Sequence, residues 1–497
     1  MNSIRRHAKP LAFCLSAMVL LTAAAVLGSA DNEDLLQQAQ AQYERHNYKT
    51  VVTLADKVLA ASPPESLLRA AQRLRALGLC RQRNAVGYDY AEKIMSEHAP
   101  FKEDAELWMA MGADQENHWP RKKSFDAYKK AGELFEKDEK HDTAAEAFLK
   151  AVEMLRNDYG ILPQPAAQQK EKKPWTWQDQ RLQSLQEIIR LCEHVATLKV
   201  SDETKTRALY IAAQQACSQG EWNLAEMGIA LYRRIVKEFP KTPQAPNAQL
   251  ETGGAFQQFN RFVEALAEYR LVVESWPEHA LAKVAKQRIA EIKAPRAALW
   301  VTKSFLPGEK AEVYWLIRNI RKLSLTATAV DLPAAVEKVQ TISDLVGVLS
   351  AQQGQVKAEW TFDTPDDGKH QFHQCAPQGE EEKQTTVPIE VPLKERGAYL
   401  IKAVGANPDG QSDTAYCLVV ISKIAAVAKL DADQVVVFAN DVLDGTPCAG
   451  ASVAAVRYWG RIGRDHASGK IDDAGLAELK MPRRNSCQWL AAVRAGD

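Results

Sequence analysis

The chain has 497 residues, 46% apolar and 25% charged, which excludes a disordered chain and a small disulfide-held scaffold and points to about three domains. Lys plus Arg equals Asp plus Glu at 63 each, so no global charge excess draws it to nucleic acid or to anionic lipid.

The first thirty residues stand apart. Arg5, Arg6 and Lys9 give a basic start, Leu11 to Leu27 is apolar apart from Ser16 and Thr22, and Gly28-Ser29-Ala30 gives a small-x-small site before Asp31-Asn32-Glu33-Asp34. This layout predicts a cleaved secretory signal over 1–30. An uncleaved anchor is the rival, although the apolar run is at the short limit for crossing a bilayer. Arg5-Arg6 hints at twin-arginine export, but the residues after it do not fit that pattern, and ordinary secretion is expected. Phe13 before Cys14 does not suit lipid attachment. The expected location is the periplasm or cell envelope, with no membrane span after cleavage.

Eight cysteines are present, and seven remain once Cys14 leaves with the signal; no C-x-x-C occurs among them. An odd number leaves at least one thiol free or paired between chains. Cys80, Cys192 and Cys217 sit inside apolar helical patterns and are expected to be buried core thiols.

From Asp31 to Ile292 apolar residues recur three and four apart and β-branched runs are scarce, which predicts helices. A repeat is visible. Gly132, Phe135, Ala144, Phe148 and Ala151 have the same spacing as Gly253, Phe256, Ala265, Tyr269 and Val272. Ala216, Gln219, Gly228, Tyr232 and Ile235 keep that spacing with weaker residues, as do Ala39, Gln42, Val51, Ala55 and Val58. Small residues on both helices of such a pair allow close approach, aromatic residues fill the gap to the next pair, and a following Pro (Pro277, Pro240, Pro63) ends the second helix. The pattern resembles the tetratricopeptide repeat, a helix–turn–helix unit of about 34 residues. Pro163, Pro165 and Pro174 interrupt it, with Lys170, Lys172 and Lys173 between them and Trp175 and Trp177 after. A recognition loop is one use of such a stretch; an inter-repeat loop whose tryptophans pack back on the helices is the expected one.

At Ala294-Pro295 the apolar period changes to two. Glu312, Tyr314, Leu316 and Arg318 alternate with Ala311, Val313, Trp315 and Ile317. Strands are expected at Trp300-Val301 onward, Leu323 to Val330, Ala358 to Phe362, Thr385 to Val391, Ala398 to Val404 and Ala415 to Ile421. A helical insert runs from about Pro333 to Leu349. A second set begins near Ala425, with strands at Val435 to Ala439, Ala451 to Val456, Leu476 to Leu479 and Trp489 to Val493. Many short strands with Gly and Pro turns predict β-sandwiches. The fold class is therefore multidomain, α then β. A tetratricopeptide-like α-solenoid (31–293) is followed by antiparallel β-sandwich modules at 294–424 and 425–497, the last with too few strands to close. The short link at Ala294-Pro295 predicts packed rather than swinging neighbours, with Trp300 and Trp315 as candidate contacts, Trp315 rather as core.

Four segments of the β region carry a resemblance. Phe305-Leu306-Pro307-Gly308-Glu309 leads a strand that ends in Arg318-Asn319. Arg396-Gly397-Ala398-Tyr399 brings a Gly-x-Tyr into the core. Asp444-Gly445-Thr446-Pro447-Cys448-Ala449-Gly450-Ala451 makes a hairpin, and Asp473-Ala474-Gly475-Leu476 a later turn and strand. In this order, behind helical repeats, they resemble the macroglobulin modules of bacterial alpha-macroglobulins, over about Ala294 to Asp497; immunoglobulin-like adhesion modules are the alternative. Asp444 and Cys448 depart from the family's commonest residues. The resemblance implies a non-catalytic role in endopeptidase inhibition, by protease trapping, with proteins (proteases or envelope proteins) as partners. The thioester of that family, Cys-x-Glu-Gln, is not present, and the chain is expected to be the N-terminal part of such a protein. The alternative is a repeat-based envelope scaffold or adaptor that binds peptides or proteins through its helices.

No catalytic residue, cofactor-binding residue, cofactor or metal ligand is assigned. There is no HExxH, no G-x-S-x-G and no dinucleotide fingerprint. Gly463 to Lys470 has five residues between its glycines, and Ile471 in place of a hydroxyl, so it reads as a solvated hairpin loop. His370, His373 and Cys375, with Asp366 or Asp367 nearby, offer soft-metal ligands, but in a loop-like stretch without a fourth ligand at firm spacing. Asp363, Asp366 and Asp367 lack calcium-loop spacing.

Overall fold

The structure is a computed structural model and describes residues 31–83, 86–165, 174–377, 387–431, 433–459, 463–482 and 488–495. The signal segment, Lys170, Lys172, Lys173 and Cys487 lie outside the described residues. Two compact units divide at Ala255/Phe256.

The first unit is helical, from a helix at 31–44 through Tyr48–Ala60, Glu65–Arg81, Val86–Glu97, Ala105–Gln115, Lys122–Lys137, His141–Asn157, Trp177–Thr197, Asp202–Cys217 and Trp222–Glu238 to the larger part of Gln244–Gln258. Amphipathic helices bury one stripe, as Phe125, Tyr128, Ala131, Gly132 and Phe135 on Lys122–Lys137, whereas Ala105–Gln115 is buried all round over its second half. Some starts are capped by side chains, as by Thr176 and Asp179 in a reciprocal capping box. The repeat spacing has the physical cause expected of it. A Cβ on Gly132 would stand 2.7 Å from the Phe148 ring, so any larger residue there would push the two helices apart. Cys80, Cys192 and Cys217 are buried in these helices.

The turns correct one repeat. In three copies a residue seven after the small one is left-handed: His46, Glu139 and Asn260 have φ of 59°, 59° and 57°. The next N–H then reaches back to a helix carbonyl, as Asn47 to Gln42, Lys140 to Phe135 and Arg261 to Phe256. In the weaker copy the left-handed residue is Gly220, at φ 80°, which puts its small residue at Ala213 and not Ala216. A three-residue slip keeps the same helix face, so the apolar spacing alone did not separate the two registers.

The second unit contains helices Phe262–Ser275 and Ala280–Lys293 and the sandwiches. The change of grammar at Ala294 is thus not the division between compact units, because the last two helices pack with the β region. In the first sandwich β1 (Arg296–Trp300), β2 (Ala311–Arg318), β5 (His373–Cys375) and β6 (Ile389–Val391) form one antiparallel sheet. β3 (Lys322–Ala329), β4 (Val356–Asp363), β7 (Gly397–Ala406) and β8 (Ser412–Ile421) form the other, in the order β4-β3-β7-β8. Inward residues alternate along β2 as Ala311, Val313, Trp315 and Ile317, and meet Leu323, Leu325, Tyr399, Ile401 and Val419 across one core. Trp315 is core, with Nε1 donating to the Val387 carbonyl. β1 ends, rather than begins, at Trp300, whose ring stacks on Tyr314.

The second set has six described strands where the sequence reading counted four. β9 (Ile424–Leu430), β10 (Gln434–Asp441) and β13 (Leu476–Lys480) face β11 (Ser452–Trp459), β12 (Gly463–Lys470) and β14 (Gln488–Arg494). Val435, Val437, Val453, Ala455, Ile471 and Leu479 share one core, so these strands do close on each other. Gly463–Lys470 is therefore a strand and not a loop. Its polar, small-residue sequence hides a strand that pairs residue by residue with β11.

The helical insert is a short helix Leu332–Lys338 followed by Leu345–Ser350. Val336 and Val339 pack on Ala454, Val456 and Tyr458 of β11, while Ala335 and Leu349 pack on Leu400 of β7. The insert so lies between the outer faces of the two sandwiches. This is why β11 reads apolar on both faces: Val453 and Ala455 face its own core, Ala454 and Val456 the insert. Arg464 donates to the Val339 carbonyl, and Arg494 pairs with Asp331.

Candidate functional site: the loop over the helix end

An α-helix ends with carbonyls that have no partner within the helix. In helix Ala280–Lys293 the sandwich supplies those partners. Arg318 Nη2 donates to the Glu291 carbonyl at 2.7 Å. Asn319 Nδ2 donates to the carbonyls of Ile292 and Ala294 at 2.7 and 2.9 Å, and Asn407 Nδ2 to that of Lys293 at 3.0 Å. Four successive carbonyls are satisfied by three side chains from two strand ends. The Arg318 cation also suits the negative end of the helix dipole. Its guanidinium lies over the rings of Phe372, at 4.4 Å, and Phe262, at 5.6 Å. Asp413 accepts from the Ala297 N–H and Lys293 pairs with Asp409, so the two residues between helix and β1 are held on both sides.

Residues 364–372, between β4 and β5, cover this junction. His370 Nδ1 lies 2.7 Å from Asn319 Oδ1. Because the Asn319 amide nitrogen already donates to two carbonyls, its oxygen is the acceptor and His370 Nδ1 carries the proton. Burial lowers the His370 pKa below the ordinary histidine value; Asp366 opposes this, while Lys293, Arg318 and Arg270 reinforce it. Cys375 is buried in the sandwich core beside Trp315. Asp363 closes β4. Of the five metal-ligand candidates the structure therefore commits His370 to Asn319 and Cys375 to the core. It brings together Asp366, Asp367 and His373, with ligating atoms all within 4.8 Å of one another.

No known protein family matches the sequence, and no curated protein is similar to it. Among solved structures the chain is similar to a fragment of native alpha-2-macroglobulin from Escherichia coli spanning domains MG0-NIE-MG1, with 16% identity and a TM-score of 0.27. That match covers 40% of this chain and 64% of the fragment, under two thirds of its length. A second fragment of the same protein, spanning NIE-MG1, has 15% identity, a TM-score of 0.25 and coverage of 40% and 97%. The apo form of the quorum sensor NprR from Bacillus thuringiensis has 12% identity, a TM-score of 0.23 and coverage of 49% and 87%.

The other sequence candidates are dispersed. Trp177 is exposed, with Tyr159 edge-on to its ring and the Arg181 guanidinium 5.3 Å above it. Trp175 is half-buried. Sequence reading missed the capping role of Arg318, Asn319 and Asn407. In sequence the dipeptide Arg318-Asn319 reads only as a motif, and Asn407 carries no local signal, because its partner lies 114 residues away. Among the described residues no helix is long and apolar enough to cross a membrane.

Proposed function

We propose that this chain is the N-terminal part of an exported macroglobulin-like protein, associated with endopeptidase inhibition in the cell envelope, and that it works by docking rather than by chemistry. The observation that supports this reading is where the motif residues fall. Gly308, at φ 85°, turns the chain ahead of β2, and Arg318-Asn319 at its end cap the helix before it. Tyr399 enters the core of the first sandwich and its hydroxyl donates back to the carbonyls of Glu395 and Arg396. Gly445 and Gly450, at φ 76° and 80°, shape the hairpin between β10 and β11. Sandwiches stacked through an insert, behind a capped helix, form a stiff series of modules suited to carrying a partner-binding surface.

The test is a protease panel. The full-length gene product is incubated with several endopeptidases, and cleavage of a large protein substrate is compared with cleavage of a small peptide. Protection of the large substrate alone supports trapping; equal cleavage of both refutes it.

A second reading, a peptide-binding scaffold, has its own observation. A groove of about 340 Å³ lies between helices His141–Asn157 and Asp202–Cys217, lined by the apolar Leu149, Val152 and Ile211, with Arg156 and Arg207 outnumbering the one acid, Glu153. Binding of acidic peptides that is lost in Arg207→Glu, with no protease protection, would select this reading.

A further inference from the structure

The loop over the helix end holds three side chains that the junction does not use. Asp366 Oδ1 and His373 Nε2 are both buried, and neither meets a hydrogen-bond partner. Buried polar atoms are seldom left this way, and here two of opposite bonding habit, a carboxylate oxygen and an imidazole nitrogen, sit in one place without bonding each other. A carboxylate oxygen of Asp367 is the third member, and all three ligating atoms lie within 4.8 Å of one another. Ligands bound to one ion at about 2.0–2.2 Å stand roughly 3–4 Å apart, so a small contraction of the loop suffices.

We propose that Asp366, Asp367 and His373 bind one divalent transition-metal ion, of the zinc kind, with water in the remaining positions. Two carboxylates with one imidazole, and no thiolate, favour such an ion over the hard cations that prefer oxygen alone. The surroundings agree with this. His373 is fixed in the sheet opposite Ile317, on the same side of β5 as Cys375, so one ligand is rigid. The other two are on the loop, where Asp366 N–H donates to Thr364 Oγ1 and Lys369 N–H to Asp367 Oδ1. Lys369 Nζ lies 2.7 Å from Asp367 Oδ2, a surface ion pair on a flexible stem that a metal ion would displace. His370 and Phe372 ride on the same loop and clamp Asn319 and Arg318, so an ion here would tighten the helix-to-sandwich junction. This inference stands on the loop geometry and is independent of the proposed protease role.

The experiment is calorimetric titration of the chelator-stripped full chain with zinc chloride, paired with thermal unfolding with and without chelator. One ion per chain is expected, with a chelator-reversible rise in the unfolding midpoint. His373→Ala and Asp366→Asn should each weaken binding at least tenfold. Cys448→Ser, which removes a half-exposed thiol remote from the loop sequence, should leave it unchanged. Should the buried substitutions unfold the chain in chelator, Asp367→Asn at the exposed carboxylate replaces them with the same expected tenfold loss. No saturable binding, or binding that survives in folded variants of the three ligands, means an adventitious ion only and overturns the proposal.

Discussion

Asn319 does three things at once. It is buried, it sits at φ 58° where most side chains are strained, and its amide serves two helix carbonyls and one imidazole. These contributions separate by substitution. Asn319→Gly keeps the backbone conformation and loses the hydrogen bonds, which should destabilise the second unit by about 2 kcal/mol. Asn319→Ala should cost about 1 kcal/mol more, because alanine resists the left-handed region. Urea unfolding of the two variants checks this, and equal midpoints would remove the backbone term. The sequence showed which residues of the loop could ligate a metal but not which way each points. His370 and His373 are three residues apart and look alike in sequence; only the tertiary position of Asn319 takes one of them out of the set.

At the scale of elements, the tie between helices Lys122–Lys137 and Trp177–Thr197 is electrostatic. Glu187 is largely buried and pairs with Lys129 at 2.9 Å and Arg190 at 2.6 Å. Burial alone would raise its pKa, but hydrogen bonds from Arg190 and Lys129 outweigh that and hold it below the usual carboxylate value. A depressed folded pKa means stability that is present above the unfolded pKa of about 4.3 and lost as pH falls through the folded one. The helical unit should therefore lose stability from this group as pH falls below about 4, and Glu187→Gln should flatten that limb of the stability–pH curve. The insert gives a second prediction. Val336→Asp buries an unpaired charge against β11, so trypsin should cut after the exposed Lys338 far faster than in the unsubstituted chain, read by mass spectrometry of timed digests. How readily an element could be read from sequence follows from its chemistry. β2 alternates strongly, and β7 is a nearly continuous apolar run covered on both faces, so both are legible. β5 and β12 are not, because a three-residue strand has no period and β12 is built from Gly, Ser, Ala and charged residues. The insert helix is legible, but its use as packing between two sandwiches depends on contacts at least 50 residues away, and more than 100 for those to β11.

For the whole molecule, the first thirty residues predict a mature chain that begins at Asp31. Terminal sequencing of protein recovered from the envelope fraction should find that residue; an intact Met1 in the membrane fraction would favour the anchor instead. The same sample tests the junction. Trypsin should spare Lys293, because the carbonyls of residues 291–294 are held by the sandwich. Rapid cutting at Lys293 into two stable pieces would contradict that arrangement.

The capped helix end also orders events in time. Ala280–Lys293 leaves the ribosome, or the far side of a translocation channel, before any of its caps. Arg318 and Asn319 follow some 25 residues later, and Asn407 comes 114 residues after Lys293. At synthesis rates of about 5–20 residues per second, the last turn of the helix waits several seconds for its final partner. Until then the Lys293 carbonyl is served by water alone, so the end of the helix is locked only as β7 is completed. Emergence of Asn407 is thus the moment at which the helices and the first sandwich become one folding unit. A chain stalled short of it should leave the Lys293 peptide bond open to trypsin, even though every residue of the helix has already been made.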